Sequence, residues 1–156
     1  MIHRDDIDEE LKNLAFEFFY WFSRFEFALK ENGQIHAGHR DVAQANWKGF
    51  IRDYEESYQL CDAAQELLRS PPDVQRVTNG SAWEWVPLTF GNGQSELSKV
   101  VLVVKTVRNN LFHGGKHGAA GWDEPERVRF LLEHGLKVLD SFARLAHYEA
   151  DYERRY

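Results

Sequence analysis

The strongest constraint on the fold is the spacing of apolar residues within residues 6–30. One set recurs in steps of three and four, which places it on one face of a helix: Ile7, Leu11, Leu14, Phe18, Phe22, Phe25 and Leu29. Phe16, Tyr20 and Phe27 fall near the opposite side of the same helix. A helix that is apolar on two sides has to be covered on two sides, by another part of the chain or by a second copy. The stop signal Asn32-Gly33 ends this helix.

Two later segments are also predicted to be helices. One begins at Ser95, a favourable N-cap residue, and runs to His113, where Gly114-Gly115 terminates it. The other begins at residues 123–126, whose sequence DEPE has a capping-box arrangement with an acidic first turn. Its apolar stripe consists of Val128, Leu132, Gly135, Leu139, Phe142 and Ala146.

The middle of the chain is less regular. Residues 34–41, QIHAGHRD, are interpreted as a loop, and a helical region that allows for a break covers residues 41–69 before Ser70-Pro71-Pro72. Turn signals such as Asn79-Gly80 make residues 73–94 one long irregular loop, with AWEWV at most a short extended piece. Trp83, Trp85 and Phe90 are expected to attach this loop to the helices.

These segments predict an all-α fold, an antiparallel bundle of four to five helices with one long irregular loop. The 156 residues are enough for a single domain, 1–156, with its own core. The single Cys61 excludes an internal disulfide and favours a reducing, cytoplasmic setting. The acidic start MIHRDDIDEELK argues against a signal peptide, and no apolar stretch is long enough to span a membrane. The net charge of −6 argues against broad wrapping of a phosphate backbone.

An arginine interrupts the apolar stripe of the helix that starts at Ser95. The stripe is formed by Leu97, Val101, Val104, Arg108 and Leu111. A guanidinium in such a position is unfavourable unless it is paired or kept for an anionic ligand. Asn109 lies beside it, and His113 follows one turn after Asn109. Arg108 and His113 are separated by about 140° around an ideal helix, so only the long arginine side chain or local unwinding could bring them together.

The end of this helix is rich in cationic side chains. His113 lies at the negative end of the helix macrodipole, which favours the imidazolium form, and Lys116 and His117 follow closely. The sequence therefore predicts a local cationic pocket on an acidic protein, formed by Arg108, His113, Lys116 and His117. The plainer interpretation is that arginine and histidine only complement the dipole and cap the last carbonyl groups.

The sequence RNNLFH resembles the signature of the HEPN superfamily, an arginine followed by a polar residue and, after four to six intervening residues, a histidine. The resemblance implies a metal-independent endoribonuclease without a cofactor, usually a homodimer whose two motifs face each other across one cleft. It also implies a toxin or an effector of antiviral defence, in some cases held inactive by an antitoxin protein. Other members have lost activity and bind a nucleotide or a protein partner.

The resemblance assigns roles to residues of this chain. His113 would be the general acid or base, Arg108 would bind the scissile phosphate, and Asn109 would orient one of them. Lys116 and His117 are predicted to bind substrate from their place in the cationic pocket, not from the resemblance. One histidine per chain supplies one proton-transfer group, whereas attack by a ribose 2′-hydroxyl requires two, so a two-fold dimer would complete the site. The expected products are a 2′,3′-cyclic phosphate and a 5′-hydroxyl.

Several alternatives remain open. Modified HEPN toxins commonly carry a tyrosine two residues after the histidine, whereas this chain has Gly115. Glu26 could pair with Arg108 and orient it, or pair with Arg24 or Arg52 on the surface; in a purely structural helical dimer the Arg108–Glu26 pair would have no catalytic role. The spacing of His36 and His39 is compatible with a metal, but solvent-exposed histidines are the preferred interpretation and no metal site is predicted.

Overall fold

The computed structural model describes residues 7–113 and 124–154. In these ranges the chain forms six α-helices and four β-strands, in the order α1 (Glu9–Glu31), β1 (Ile35–Ala37), β2 (Ala43–Ala45), α2 (Trp47–Tyr54), α3 (Asp62–Arg69), β3 (Asp73–Thr78), β4 (Ala82–Pro87), α4 (Glu96–His113), α5 (Pro125–Ala146) and α6 (Glu149–Tyr152). The predicted all-α bundle of four to five helices is wrong, because two small antiparallel sheets accompany six helices.

The predicted apolar stripe of α1 forms the centre of the core. Asp8 caps the helix by accepting a hydrogen bond from the backbone N–H of Leu11 at 2.8 Å. The stripe residues that are buried lie in contact with residues of α2, α4 and α5 in one apolar cluster: Leu11, Phe18, Phe22, Phe25 and Leu29. Burial of aromatic side chains on this scale provides most of the driving force for association of the helices.

The second apolar side of α1 stays largely uncovered within the described residues. Phe16 is 66% exposed and stacks on Tyr20, with ring centroids 6.3 Å apart. Phe19 stacks on Phe112, which extends from α4 and is also 66% exposed. We call the exposed surface formed by Phe16, Phe19, Tyr20 and Phe112 the aromatic face. Clusters of exposed aromatic side chains are typical of surfaces that bind another molecule.

Helices α5 and α6 hold α1 from the other side. Gly135 lies in the middle of α5 against the buried ring of Phe18, where an added Cβ would be only 2.6 Å from Cε2 of that ring. The buried Arg24 of α1 donates hydrogen bonds to the main-chain carbonyls of Asp151 and Tyr152 in α6. The close approach of α5 and these buried contacts fix α1 in place.

The segment predicted as a loop after α1 is a hairpin. Strands β1 and β2 are antiparallel, with Ile35 opposite Ala45 and Ala37 opposite Ala43. A short 3-10 turn, His39–Asp41, connects them, and Arg40 and Asp41 adopt positive φ angles there. The loop interpretation was wrong because three residue pairs give almost no alternating pattern for a sequence to display.

A buried glutamine joins this hairpin to α2. The main-chain carbonyl of Gln34 accepts a hydrogen bond from the N–H of Asn46, and its side-chain amide donates to Asp53 of α2 at 2.6 Å. Asn46 is the N-cap of α2 and accepts from the N–H of Gly49 at 3.0 Å. A Cβ on Gly49 would lie 2.0 Å from Oε1 of Gln34 and 2.7 Å from Nδ2 of Asn46, so glycine permits this packing.

The segment predicted as a long irregular loop contains the second hairpin. Strands β3 and β4 pair along their whole length, from Asp73 opposite Pro87 to Thr78 opposite Ala82. Asn79 and Gly80 have positive φ angles in the connecting turn, as the Asn-Gly pair favours. Phe90 packs against the core as expected, but Trp83 is half exposed and does not anchor the segment.

Within the predicted helical region of residues 41–69, only α2 and α3 are helical, and the start of the region is wrong because residues 43–45 form strand β2. Residues 55–61 separate the two helices, and Tyr58 in this connection is buried. The other predicted helices agree closely with α1, α4 and α5. No helix in the described ranges combines the length and the apolar composition that crossing a membrane would require.

Candidate functional site

Arg108 lies where the buried stripe of α4 reaches the surface. Leu97, Val101 and Val104 of the stripe are buried, as predicted. The Arg108 side chain retains 32% of its exposure, so the residue is half-buried rather than part of the core. Its guanidinium carbon lies 5.2 Å from the centre of the Phe22 ring, which is a cation–π distance. The aromatic residues of α1 thus form one wall beside this cation.

Two side chains hold the guanidinium in place. Nη1 of Arg108 donates a 2.8 Å hydrogen bond to Oδ1 of Asn109, and Nη2 lies 4.0 Å from Oε1 of Glu26. The same Glu26 oxygen accepts a hydrogen bond from Nε1 of Trp47 at 3.0 Å. Arg108 and Glu26 are therefore brought together, and Glu26 is itself fixed by α2. Arg52, by contrast, pairs with Asp53.

A small pocket opens beside this cation. It has a volume of about 220 Å³ and lies between α1 and α4. We call it the arginine pocket, and its lining is Phe19, Phe22, Ser23, Glu26, Arg108 and Phe112. Arginine keeps its charge at any accessible pH and offers several N–H donors, whereas Glu26 repels anions from one side of the pocket. The arrangement suits a phosphate that approaches from the open side.

His113, at the end of α4, is exposed and separate from Arg108. Its ring meets Phe112 edge-on at 5.6 Å between centroids. No hydrogen bond connects His113 to Arg108, or to any other residue in the part of the chain that the structure describes. One copy of the described chain therefore does not assemble the arginine and the histidine into one hydrogen-bonded site. The predicted substrate-binding residues Lys116 and His117 lie outside the described residues.

A second cationic pocket lies next to the first, and the sequence interpretation missed it. It has a volume of about 390 Å³, and we call it the lysine pocket. Its lining is His36, Ala45, Asn46, Trp47, Lys48 and Lys105. Lys105 is half-buried, precedes Arg108 by one turn of α4 and has its ammonium 6.0 Å from the Trp47 ring centre. The spacing of Lys105 and Arg108 was visible in the sequence, but the folding of β1, β2 and α2 against them was not.

Burial makes Lys105 electrostatically sensitive. Desolvation lowers the pKa of its ammonium, and the positive charges of Arg108 and Lys48 act in the same direction. Glu26 alone raises the pKa of Lys105. Lys105 is therefore repelled by two neighbouring cations, and an additional anion would offset that repulsion.

The paired histidines predicted as solvent-exposed are exposed. Nε2 of His36 lies 3.2 Å from Oε1 of Gln44, which is a hydrogen-bonding distance. His39 belongs to the 3-10 turn. Among residues 7–113 and 124–154, no group of three or more His, Cys, Asp or Glu side chains is arranged to hold a metal ion.

Comparison with known proteins supplies no independent assignment. Searches against protein-family models, curated proteins and solved structures find no match to this chain. The residues of the two pockets and of the helix end are therefore the basis for assigning a function.

Proposed function

We propose that this protein is a metal-independent endoribonuclease of the HEPN type. The observation that supports this most is the Arg108 guanidinium, which Glu26 and Asn109 hold at the mouth of a pocket on the helix that ends with exposed His113. A fixed, permanently charged donor beside an open pocket is suited to a phosphodiester, because negative charge grows on the phosphoryl oxygens during cleavage.

In the proposed reaction, Arg108 binds a non-bridging oxygen of the scissile phosphate. One His113 imidazole accepts the proton of the ribose 2′-hydroxyl, and the O2′–P bond forms. The P–O5′ bond breaks as a second imidazole, in its protonated form, donates a proton to the leaving oxygen. The products are a 2′,3′-cyclic phosphate and a 5′-hydroxyl. Asn109 positions the guanidinium through its 2.8 Å hydrogen bond.

The proposed reaction uses two copies of the chain, because each contributes one His113. The aromatic face supplies a surface for this homodimer: Phe16 and Phe112 are each 66% exposed, and Phe112 is the neighbour of His113. A two-fold contact through this face would place the two arginine pockets close to each other. Arg108 and His113, which are not hydrogen-bonded to each other within one copy, would then belong to one composite site formed by both copies.

The biological setting that we propose is that of a bacterial toxin or an antiphage-defence effector in the cytoplasm, with an antitoxin protein as a further partner. This part of the proposal rests on the resemblance of Arg108, Asn109 and His113 to the HEPN motif. Gly115 in place of the modified tyrosine favours control by binding over control by modification.

The decisive experiment is incubation of the purified protein with end-labelled RNA in EDTA. We expect fragments with 2′,3′-cyclic phosphate ends, and we expect Arg108→Ala and His113→Ala each to reduce cleavage by at least about a hundredfold. Circular dichroism and size-exclusion chromatography with light scattering would confirm that both variants fold and dimerise. Cleavage that requires added metal, or that persists in both variants, would refute the nuclease assignment.

The dimer is tested by a charge placed on the aromatic face. Phe16→Glu should convert the dimer to a monomer and abolish cleavage while Arg108 and His113 stay intact. Val77→Glu is the matched control, because Val77 is also an exposed apolar residue but lies on strand β3. A monomeric wild-type protein with full activity would exclude the composite site.

The exposed position of His113, without a hydrogen bond to Arg108, favours a second candidate function. In that case the chain is a catalytically inactive HEPN-like module whose cationic pockets bind a nucleotide. The wild-type protein would then bind a nucleotide at the Arg108 site without cutting any RNA. Failure of both cleavage and binding would leave the Arg108–Glu26 pair with a purely structural role.

A further inference from the structure

The lysine pocket contains two cations that lack carboxylate partners in direct contact. In the described ranges, no Asp or Glu forms an ion pair with Lys48 or Lys105. Lys48 is exposed in the first turn of α2, whereas Lys105 is half-buried on α4 beside the Trp47 ring. The pocket between these two helices, about 390 Å³, is large enough for a phosphate group and part of a sugar.

The charge distribution around the pocket favours an anion. Among the described residues, Glu26 is the one carboxylate that acts appreciably on Lys105, and its Oε1 is already shared by Arg108 and by the indole N–H of Trp47. His36 lines the same pocket. Half-burial of an ammonium without a direct counter-ion is unfavourable, and a bound anion would offset that cost.

The lysine and arginine pockets are neighbours on one surface. Lys105 and Arg108 are three residues apart, which corresponds to about 4.5 Å along the axis of α4. Two aromatic rings lie between the cations: Arg108 contacts Phe22, Lys105 contacts Trp47, and the centroids of Phe22 and Trp47 are 5.6 Å apart. A polyanion that reaches Arg108 therefore has a second cationic site within one helical turn.

We propose that the lysine pocket binds a second phosphate group of the RNA chain whose scissile phosphate lies at Arg108. The choice of RNA as the ligand rests on the proposed function, but the lysine pocket itself is defined independently of His113. Lys48 and Lys105 are binding residues in this proposal and take no part in proton transfer. They would fix the direction of the RNA strand across α4 and so determine which ribose approaches the histidine.

The test measures binding without cleavage. The probe is a fluorescent single-stranded oligonucleotide with 2′-O-methyl riboses, which lacks the attacking hydroxyl, and the readout is anisotropy at a series of salt concentrations. We expect Lys48→Gln and Lys105→Gln each to weaken binding about tenfold at low salt, as for loss of one charge-assisted hydrogen bond. The plot of log affinity against log salt concentration should become less steep, by about 0.7 in slope for each phosphate contact that is lost.

Lys137→Gln is the matched control. Lys137 is exposed on α5 and lines neither pocket, so the same change in net charge should alter affinity less than about twofold. Lys48 is exposed, so Lys48→Gln should fold normally and would support the test alone if Lys105→Gln were unstable. Wild-type affinity and wild-type salt slope in Lys48→Gln would overturn the proposal.

Cleavage of ordinary RNA separates this inference from the nuclease assignment. If wild type cuts RNA in EDTA, Arg108→Ala does not, and Lys48→Gln binds the probe normally, the nuclease stands and the second phosphate site is refuted. If wild type cuts nothing but Lys48→Gln and Lys105→Gln bind the probe more weakly than Lys137→Gln, the phosphate site stands and the nuclease is refuted.

Discussion

Replacement of Glu26 by glutamine should change stability and RNA affinity in opposite directions. Glu26 lies 4.0 Å from Arg108 and accepts a hydrogen bond from Trp47. The glutamine side chain has nearly the same shape, and its carbonyl oxygen can still accept the indole N–H. The substitution therefore removes one negative charge between the two cationic pockets while it preserves the local packing.

The expected magnitude follows from the geometry of the pair. At 4.0 Å, two unit charges attract each other by about 4 kcal/mol at an effective dielectric constant of about 20. Both side chains keep roughly a third of their exposure, at 32% for Arg108 and 30% for Glu26, so solvent screens much of that attraction. Partly exposed pairs contribute about 0.5–1 kcal/mol to the free energy of unfolding. Loss of this contribution should lower the melting temperature by about 1–4 °C.

RNA affinity should rise in the same variant. Glu26 repels a phosphate that enters the arginine pocket and weakens the field of Lys105 and Arg108, so its neutralisation should favour binding by up to about 1 kcal/mol, or about fivefold. The turnover number should nevertheless fall, because Arg108 loses one of the two groups that hold it. A lower KM together with a lower kcat would identify Glu26 as a positioning residue.

Thermal denaturation, anisotropy with the 2′-O-methyl probe and initial cleavage rates give the three readouts. Glu66→Gln is the matched control, since Glu66 pairs with Arg69 on the surface of α3 and lines neither pocket. This control should leave probe affinity unchanged. If Glu26→Gln instead weakened probe binding as strongly as Arg108→Ala, Glu26 would not be repelling the ligand and the electrostatic account of the arginine pocket would be wrong.

Two further predictions concern the fold. Gly135→Ala should lower the free energy of unfolding by about 1–2 kcal/mol in urea denaturation, because overpacking against Phe18 outweighs the better helix propensity of alanine. The control is Gly91→Ala, which should be near neutral because the new Cβ approaches only Gln94, at 3.9 Å. A Gly135→Ala variant that is more stable than wild type would contradict the packing argument. Burial raises the pKa of three tyrosines: Tyr58, Tyr148 and Tyr152. The folded chain therefore retains protons that the unfolded chain releases above about pH 10, so stability is retained below that pH and declines as pH rises further. A urea midpoint that stays constant as the pH is raised from 9 to 11 would refute this prediction.

The long helices could be predicted because their signals are repeated and local. Helix α1 carries five buried stripe residues in steps of three and four, and Ser95 caps α4 through a 3.3 Å hydrogen bond from the N–H of Ser98. The strands could not be predicted in the same way. Strand β1 has three residues, all exposed, so it has no apolar alternation. The Asn79-Gly80 turn was identified, but as part of a loop rather than as the centre of a hairpin.

The candidate site was only partly predictable for a related reason. The interrupted stripe located Arg108, and the same reasoning brought Glu26 near it, because both residues belong to long regular helices. The lysine pocket depends on Trp47 and Lys48, which reach α4 through the hairpin and the broken helical region. The hairpin that contributes His36 and Ala45 to this pocket was predicted as a loop, and its packing against α4 leaves no periodic trace in the sequence.

The buried Gln34 has a consequence for the lysine pocket through its contact with Gly49. Gln34 and Asn46 close over Gly49 so tightly that even a methyl group there would displace the amide groups that hold the start of α2. The same Asn46 forms a wall of the lysine pocket, and Lys48 is two residues further on. Gly49 therefore helps to fix the position of Lys48 on α2, and replacement of Gly49 by alanine should change the distance between the two lysines to which we assign the second phosphate.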